Sequence, residues 1–233
     1  MKARKKPAMT KEQLEALSRG VSTAWRAERW ACTVEMARKY LDQDRSNPWI
    51  WLVYADVLTG LARYGEARDA VRSAIRLMRG SEQRLHHAYV IMGDLYREMG
   101  RFALAERWYR KAVDCRPWST HGYFYLGDIL ARRGKLAEAE KVFRQAARLK
   151  PLPAMAFLNL GNVLRAQGRY KAAANALQKA LDLEPEYREA REGLKDLETA
   201  LAMKPGRRRR GSARRGGGSG KSGRSGKRAK RTG

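Results

Sequence analysis

The chain has 233 residues, of which 43% are hydrophobic, so it can bury the core of one sizeable domain. Its 50 lysines and arginines outnumber its 24 aspartates and glutamates and give a net charge of +26. The longest apolar run, Trp49 to Ala55, is too short to cross a bilayer, and the two cysteines favour a reducing compartment over a disulfide framework. We therefore expect a soluble cytoplasmic protein.

The excess positive charge lies mainly at the two ends of the chain. Residues 1–10 form a basic N-terminal extension with four basic residues, and no apolar segment of a signal peptide follows them. Residues 11–203 hold 33 basic and 24 acidic residues, a net charge of +9. The sequence thus predicts a moderately basic body with more strongly basic ends.

Three consecutive segments repeat the same residue types every 34 residues. Glycine and alanine each recur at two positions and proline at one, and a large side chain lies between the alanines. The columns are Gly93, Gly127 and Gly161; Gly100, Gly134 and Gly168; Ala105, Ala139 and Ala173; Tyr109, Phe143 and Leu177; Ala112, Ala146 and Ala180; and Pro117, Pro151 and Pro185. So many columns kept over three units indicate an internal repeat rather than chance.

Within a unit the apolar residues are three or four positions apart, which is the spacing of one helical face. Each unit is therefore predicted to be two amphipathic helices joined by a glycine turn, with proline ending the second helix. A glycine inside a helix, such as Gly127, costs about 1 kcal/mol in propensity and needs a compensating reason. We expect these glycines to let the paired helices approach closely.

This pattern resembles the tetratricopeptide repeat family, whose units combine Leu-Gly, Ala, an aromatic residue, Ala and Pro within 34 residues. The resemblance implies an all-α fold, a right-handed α-solenoid of about five helix pairs with a C-terminal capping helix. The predicted units are 11–47, 48–85, 86–119, 120–153 and 154–187, with the capping helix at 188–203. The last three units match closely, whereas the first two are more divergent, and Ala55 replaces the first glycine of the second.

The resemblance also implies that the first helix of each pair lines a concave groove, which we expect to bind a protein or peptide segment. Side chains outside the core columns recur there as an apolar series, an acidic and polar series, a histidine series and a set of arginines. They are Leu52, Val90, Phe124 and Leu158; Asp56, Asp94, Asp128 and Asn162; His87 and His121; and Arg97, Arg132 and Arg165. We predict that these residues form the partner-binding groove.

Alternative roles for these side chains stay open. Leu52 and Leu158 could widen the core face, and the aspartates could be solvated or paired with nearby arginines. Three aromatic residues follow one another at 123–125 and cannot all be buried, so at least one should be available to a ligand.

Catalytic and metal-binding motifs do not stand out in the sequence. The chain has three histidines, and the adjacent His86 and His87 point to different sides of a helix, so they cannot share one metal ion in the usual way. We predict a non-catalytic protein without a metal or a cofactor.

Residues 204–233 differ from the rest of the chain, because they hold 13 basic residues, nine glycines and four serines. Such a segment cannot form a core, so we expect disorder and predict an arm that contacts a polyanion. The residues chosen for that role are Arg207, Arg208, Arg209, Arg210, Arg214, Arg215, Lys227, Arg228, Lys230 and Arg231. The alternatives are a merely solubilising tail, or a tail that folds back onto Asp56, Asp94 and Asp128.

Two functions are compatible with these features. The first is a scaffold or adaptor that binds a protein segment in its groove. The second is a nucleic-acid-associated protein in which the basic tail binds RNA or DNA non-specifically and the repeats recruit a partner.

Overall fold

The structure is a computed structural model that describes residues 8–150 and 153–203, except for the side chains of residues 82, 83 and 203. Predictions for residues 1–7, Pro151 and the tail at 204–233 lie outside the described residues. The described part contains eleven α-helices and no strand, which confirms the all-α prediction. They are α1 (Lys11–Arg26), α2 (Trp30–Gln43), α3 (Pro48–Gly60), α4 (Tyr64–Leu77), α5 (Glu82–Glu98), α6 (Phe102–Cys115), α7 (Thr120–Arg132), α8 (Leu136–Ala146), α9 (Pro153–Ala166), α10 (Tyr170–Leu183) and α11 (Arg188–Met203).

The helices form five consecutive pairs followed by α11, which is the arrangement of an α-solenoid. Each helix packs against the next one in the chain, and α1, α3, α5 and α7 also contact one another in succession. These four helices therefore lie side by side and present one continuous face. None of the helices in the described ranges has the length and apolar character needed to cross a membrane.

The turn inside each pair has the same geometry in all five pairs. Gly100, Gly134 and Gly168 have φ between 69° and 73°, as expected for glycines that end a helix in the left-handed region. The first two pairs place Glu28 (φ 54°) and Ala62 (φ 57°) at the same point. In every turn the next backbone N–H reaches back to a carbonyl five residues earlier, at 2.8–2.9 Å. The turn thus persists where its glycine is lost.

The glycines inside the first helices make room for a side chain of the paired helix. A Cβ at Gly93, Gly127 or Gly161 would overlap Tyr109, Phe143 or Leu177, respectively. The close approach predicted from the sequence is present, and large side chains rather than the alanine methyls fill the space. At the corresponding positions the second pair has Ala55 and Val71, and the first has Val21 and Ala37, all fully buried. A larger residue on one helix is therefore matched by a smaller one on the other.

A buried carboxylate links the third pair to the fourth. Glu106 on α6 accepts hydrogen bonds from Arg110 Nη2 at 3.0 Å, from Lys135 Nζ at 3.1 Å and from Arg133. Burial by itself would raise the pKa of Glu106, but the bonds from Arg110 and Lys135 and the charge of Arg133 outweigh it and lower that pKa. One repeat later, Glu140 accepts from Arg144 and Arg169 in the same way.

Candidate functional site

A cavity of about 140 Å³ opens on the face formed by α1, α3, α5 and α7. Its walls combine aromatic rings, apolar side chains and two carboxylates. The lining residues are Trp25, Trp49, Leu52, Val53, Asp56, His87, Val90, Ile91, Asp94 and Tyr125. Residues from four helix pairs thus converge on one site.

A second cavity of about 310 Å³ adjoins the first, because Asp56, Asp94 and Tyr125 line both. Its other walls include Trp30, which is 41% exposed, and Arg97. The two cavities therefore form one groove with aromatic walls and carboxylates in its middle. We call it the aromatic–acidic groove.

Trp25 and Trp49 form one wall of this groove. The indole Nε1 of Trp25 donates a 2.7 Å hydrogen bond to Oδ2 of Asp56, which ties α1 to α3. The rings of Trp25 and Trp49 meet edge to face, with centroids 5.8 Å apart and planes at 88°. Trp49 is placed by the start of α3, where the Asn47 side chain accepts a hydrogen bond from its backbone N–H and Pro48 begins the helix. Trp49 remains 39% exposed, so part of it is available to a ligand.

Asp94 connects the groove with the core of the third pair. Its Oδ1 accepts a 2.8 Å hydrogen bond from the hydroxyl of Tyr109, which is fully buried, and lies 3.1 Å from Nη1 of Arg97. Burial raises the pKa of Asp94, although Arg97 and the Tyr109 hydroxyl act in the opposite direction. Tyr109 in turn stacks on Tyr125 with a 5.5 Å centroid distance and a 14° interplanar angle. This stack sets the orientation of the Tyr125 ring at the groove.

The two histidines of α5 have different roles. His86 is buried, and its Nδ1 lies 2.9 Å from the carbonyl oxygen of Ala112, so Nδ1 carries the proton and donates. The His87 ring lies beside Trp49 with a centroid distance of 6.1 Å. Loss of solvation lowers the pKa of both histidines, against the Ala112 hydrogen bond at His86 and the charge of Asp56 at His87. Both rings are therefore neutral at neutral pH.

The structure brings six of the predicted groove residues together and leaves seven apart. Those that line the aromatic–acidic groove are Leu52, Asp56, His87, Val90, Asp94 and Arg97. Those that line neither of its cavities are His121, Phe124, Asp128, Arg132, Leu158, Asn162 and Arg165. Their role in binding stays a prediction, as does that of the six.

Some of the predicted residues have structural contacts instead. Phe124 and Leu158 are half-buried against the core. Asp128 accepts a 2.8 Å hydrogen bond from Nε of Arg132, which corresponds to the paired alternative for the aspartates. The aromatic residue of the 123–125 run that reaches the groove is Tyr125, whereas Tyr123 is buried.

Three tryptophans of the groove were not among the predicted residues. Trp49 precedes His87 by 38 residues, the spacing that also separates Leu52 from Val90, so it could have been added to the histidine column. Trp25 and Trp30 belong to the most divergent segment, where no column marks them. Within the described ranges, the structure shows no group of three or more histidine, cysteine, aspartate or glutamate side chains placed to hold a metal ion.

Comparisons with known proteins agree with this architecture. Two family models described as tetratricopeptide repeat match residues 92–154 and 154–187. No curated protein matches the sequence significantly.

Several solved structures share the fold at low sequence identity. YrrB, titled a TPR protein with an unusual peptide-binding site, is 23% identical, with 75% of this chain and 88% of YrrB covered and a TM-score of 0.58. The C-terminal part of a TPR repeat-containing protein from Cytophaga hutchinsonii is 18% identical, with coverages of 79% and 71% and a TM-score of 0.66. MamA from Desulfovibrio magneticus is 16% identical, with coverages of 78% and 99% and a TM-score of 0.64. Together with the two matched repeat models, these structures identify the chain as a tetratricopeptide-repeat protein with the α-solenoid fold.

Proposed function

We propose that this protein is a non-catalytic scaffold that binds a segment of another protein in the aromatic–acidic groove. Arrays of tetratricopeptide repeats are protein-interaction scaffolds, and their stacked helices offer extended binding surfaces. The observation that carries the proposal is the convergence of Trp25, Trp49 and Tyr125 on one cavity. Aromatic side chains in a concave site are typical anchors of protein interfaces.

The cost of keeping Asp94 in the groove supports a binding role. A carboxylate whose pKa is raised by burial is less stable in its ionised form than it would be in water. Perturbed ionisable groups of this kind cluster at functional sites. Asp94 holds Arg97 and Tyr109 in place, yet a neutral side chain could accept the same tyrosine hydrogen bond. A ligand that complements its charge would explain why a carboxylate is present.

Binding in the groove can be tested with a displayed library of random 12-residue peptides selected on the full chain. We expect Trp49→Ala to weaken the selected peptides about tenfold or more, as loss of an aromatic anchor does. Trp118→Ala is the matched control, because Trp118 is 58% exposed and lines neither cavity. Fluorescence anisotropy measures the affinities and circular dichroism checks the fold. Equal losses in both variants, or none in either, would place the interface elsewhere.

The seven predicted residues outside the two cavities would extend the interface toward the C-terminal repeats. In this proposal, Asn162 and Arg165 are exposed on α9 and contact the far end of a long bound segment. A double variant Asn162→Ala and Arg165→Ala should then weaken peptides of about 20 residues but not short ones. Short peptides that are weakened equally would instead place α9 at the main contact.

The basic tail supports a second proposal, a non-specific contact with a polyanion such as RNA or DNA. The observation is its 13 basic residues without an acidic one. If about six cations engage phosphates of duplex DNA at once, log affinity should fall against log salt with a slope near about −5. Fluorescent oligonucleotides of two unrelated sequences, titrated at several salt concentrations, measure this slope. Replacing all 13 basic residues by serine should remove binding, and unchanged binding would assign it to the repeats.

A further inference from the structure

The charge of the first cavity is opposite to that of the protein. The chain has a net charge of +26, yet the cavity is lined by two carboxylates and, among the described residues, by no lysine or arginine. His87, its other ionisable lining residue besides Tyr125, is neutral at neutral pH because its pKa is lowered. In the neighbouring cavity Arg97 is neutralised by Asp94 and Glu98, both at 3.1 Å. The groove is thus a negative site on a positive molecule.

Both carboxylates keep an acceptor for a ligand. Asp56 uses Oδ2 to accept from Trp25, and Asp94 uses Oδ1 for Tyr109 and Arg97. In the part of the chain that the structure describes, the other oxygens, Asp56 Oδ1 and Asp94 Oδ2, accept no hydrogen bond. Two free carboxylate oxygens on neighbouring helices suit a ligand group with several N–H donors.

The remaining walls match the rest of a basic side chain. The faces of tryptophan and tyrosine rings attract cations, and Trp49 and Tyr125 stand on opposite sides of the carboxylates along the chain of helices. One face of Tyr125 is covered by Tyr109, which leaves the other for a ligand. The apolar part of the lining, with Leu52 and Val90, suits a methylene stem.

We infer that the cavity between Trp25, Trp49, Asp56, Asp94 and Tyr125 binds a basic side chain of the partner segment, and that it prefers arginine to lysine. A planar guanidinium can stack on an aromatic ring while its forked N–H groups donate to two carboxylates, whereas an ammonium is a compact point charge. The inference rests on the proposed function, because it names the anchor of the bound segment. It assigns the partner a chemistry: a segment with an arginine anchor.

The inference can be tested on the full chain with small probes. The six tryptophan indole N–H groups give separate ¹H–¹⁵N signals, and Trp25→Phe and Trp49→Phe identify those of the cavity. The probes are the N-acetyl amides of arginine, lysine and citrulline, since citrulline has nearly the shape of arginine without its charge. We expect the arginine probe to shift the Trp25 and Trp49 signals saturably, with a dissociation constant of about 1 mM for a ligand of this size.

Matched carboxylate variants separate a specific site from general attraction. Asp56→Asn keeps an oxygen that can accept from Trp25 but loses the charge, and it should weaken the arginine probe by about tenfold or more. Asp128→Asn removes the same charge one repeat beyond Asp94, outside both cavities, and should leave the affinity within about twofold. Circular dichroism confirms that both variants stay folded.

The outcomes distinguish this inference from the proposed function. A citrulline probe that binds as well as arginine overturns the inference, as does an equal effect of Asp56→Asn and Asp128→Asn. A lysine probe that binds more tightly than arginine overturns the stated preference. If library peptides require Trp49 but tolerate replacement of every basic residue, the groove binds segments and only the arginine anchor is wrong. If no peptide requires Trp49, the proposed function itself fails.

Discussion

The indole nitrogen of Trp25 donates a 2.7 Å hydrogen bond to Asp56, thirty-one residues along the chain and in the next repeat. This bond joins α1, the first helix of the most divergent repeat, to α3. It also sets the position of a carboxylate that we place at the centre of the binding site. The same contact therefore serves both the packing of the first repeat and the shape of the groove.

The Trp25–Asp56 contact should give a measurable coupling energy. Trp25→Phe removes the donor and Asp56→Ala removes the acceptor, and each should lower the free energy of unfolding by about 1–2 kcal/mol. In a double-mutant cycle we expect a coupling of about 1 kcal/mol, because the residues are in direct contact. Chemical denaturation of the four proteins measures it. Strictly additive effects would show that the bond contributes nothing to stability.

The packing of Gly127 against the Phe143 ring predicts a compensated double variant. Gly127→Ala alone should destabilise the protein by about 1–3 kcal/mol, because its methyl group overlaps the ring. Phe143→Val alone should cost a similar or larger amount through the cavity it leaves. Together they reproduce the Ala55 and Val71 pair of the second repeat and should cost less than the sum. Thermal unfolding decides, and a sum without compensation would contradict the proposed size matching.

The strained turn residues offer a stabilising substitution. Ala62 has φ 57°, a conformation that costs a non-glycine residue about 1 kcal/mol or more, so Ala62→Gly should raise the free energy of unfolding by about 1 kcal/mol. Gly134→Ala is the reverse change at the equivalent turn and should be destabilising by a similar amount, since its φ is 73° and no side chain stands within 4 Å. A lower melting temperature for Ala62→Gly would contradict this account of the turn.

Glu106 predicts a loss of stability in acid. Its pKa in the folded protein lies below the ordinary value of 4.5, so its contribution is present above that value and is lost as pH falls through the folded pKa. Glu106→Gln should cost about 2–3 kcal/mol at pH 7, because it removes a buried charge from three cations. The cost should shrink below about pH 4.5. Unfolding curves from about pH 3 to 7 test this, and a pH-independent cost would exclude it.

Asp94 should behave in the opposite way. Its folded pKa is raised, so its contribution to stability is present below the ordinary value of 3.8 and is lost as pH rises through the folded pKa. The stability of Asp94→Asn relative to the unmodified chain should therefore improve between about pH 4 and pH 7. The same unfolding series measures it, with Asp128→Asn as the exposed control. An opposite slope would mean that Arg97 dominates over burial.

Much of the architecture could be predicted from the sequence, because a repeat protein uses local chemistry again and again. Glycine at 100, 134 and 168 predicts the turns, and apolar residues three and four apart predict the paired helices. Since each unit packs mainly on its neighbours, a pattern read in one unit applies to the next. The columns of Leu52 and Asp56 likewise indicated which face binds, because equivalent positions point the same way in every repeat.

Only the tertiary structure decided where along that face the side chains converge. Tyr125 reaches the groove because it stacks on Tyr109, and Asp94 is buried because that same tyrosine donates to it from α6. Trp25 and Trp49 meet at right angles across two helices, although no column connects them. Periodicity assigns a residue to a face, whereas a cavity depends on contacts between helices that are distant in sequence. The sequence alone therefore determined the solenoid and its binding face, and the folded chain determined the site.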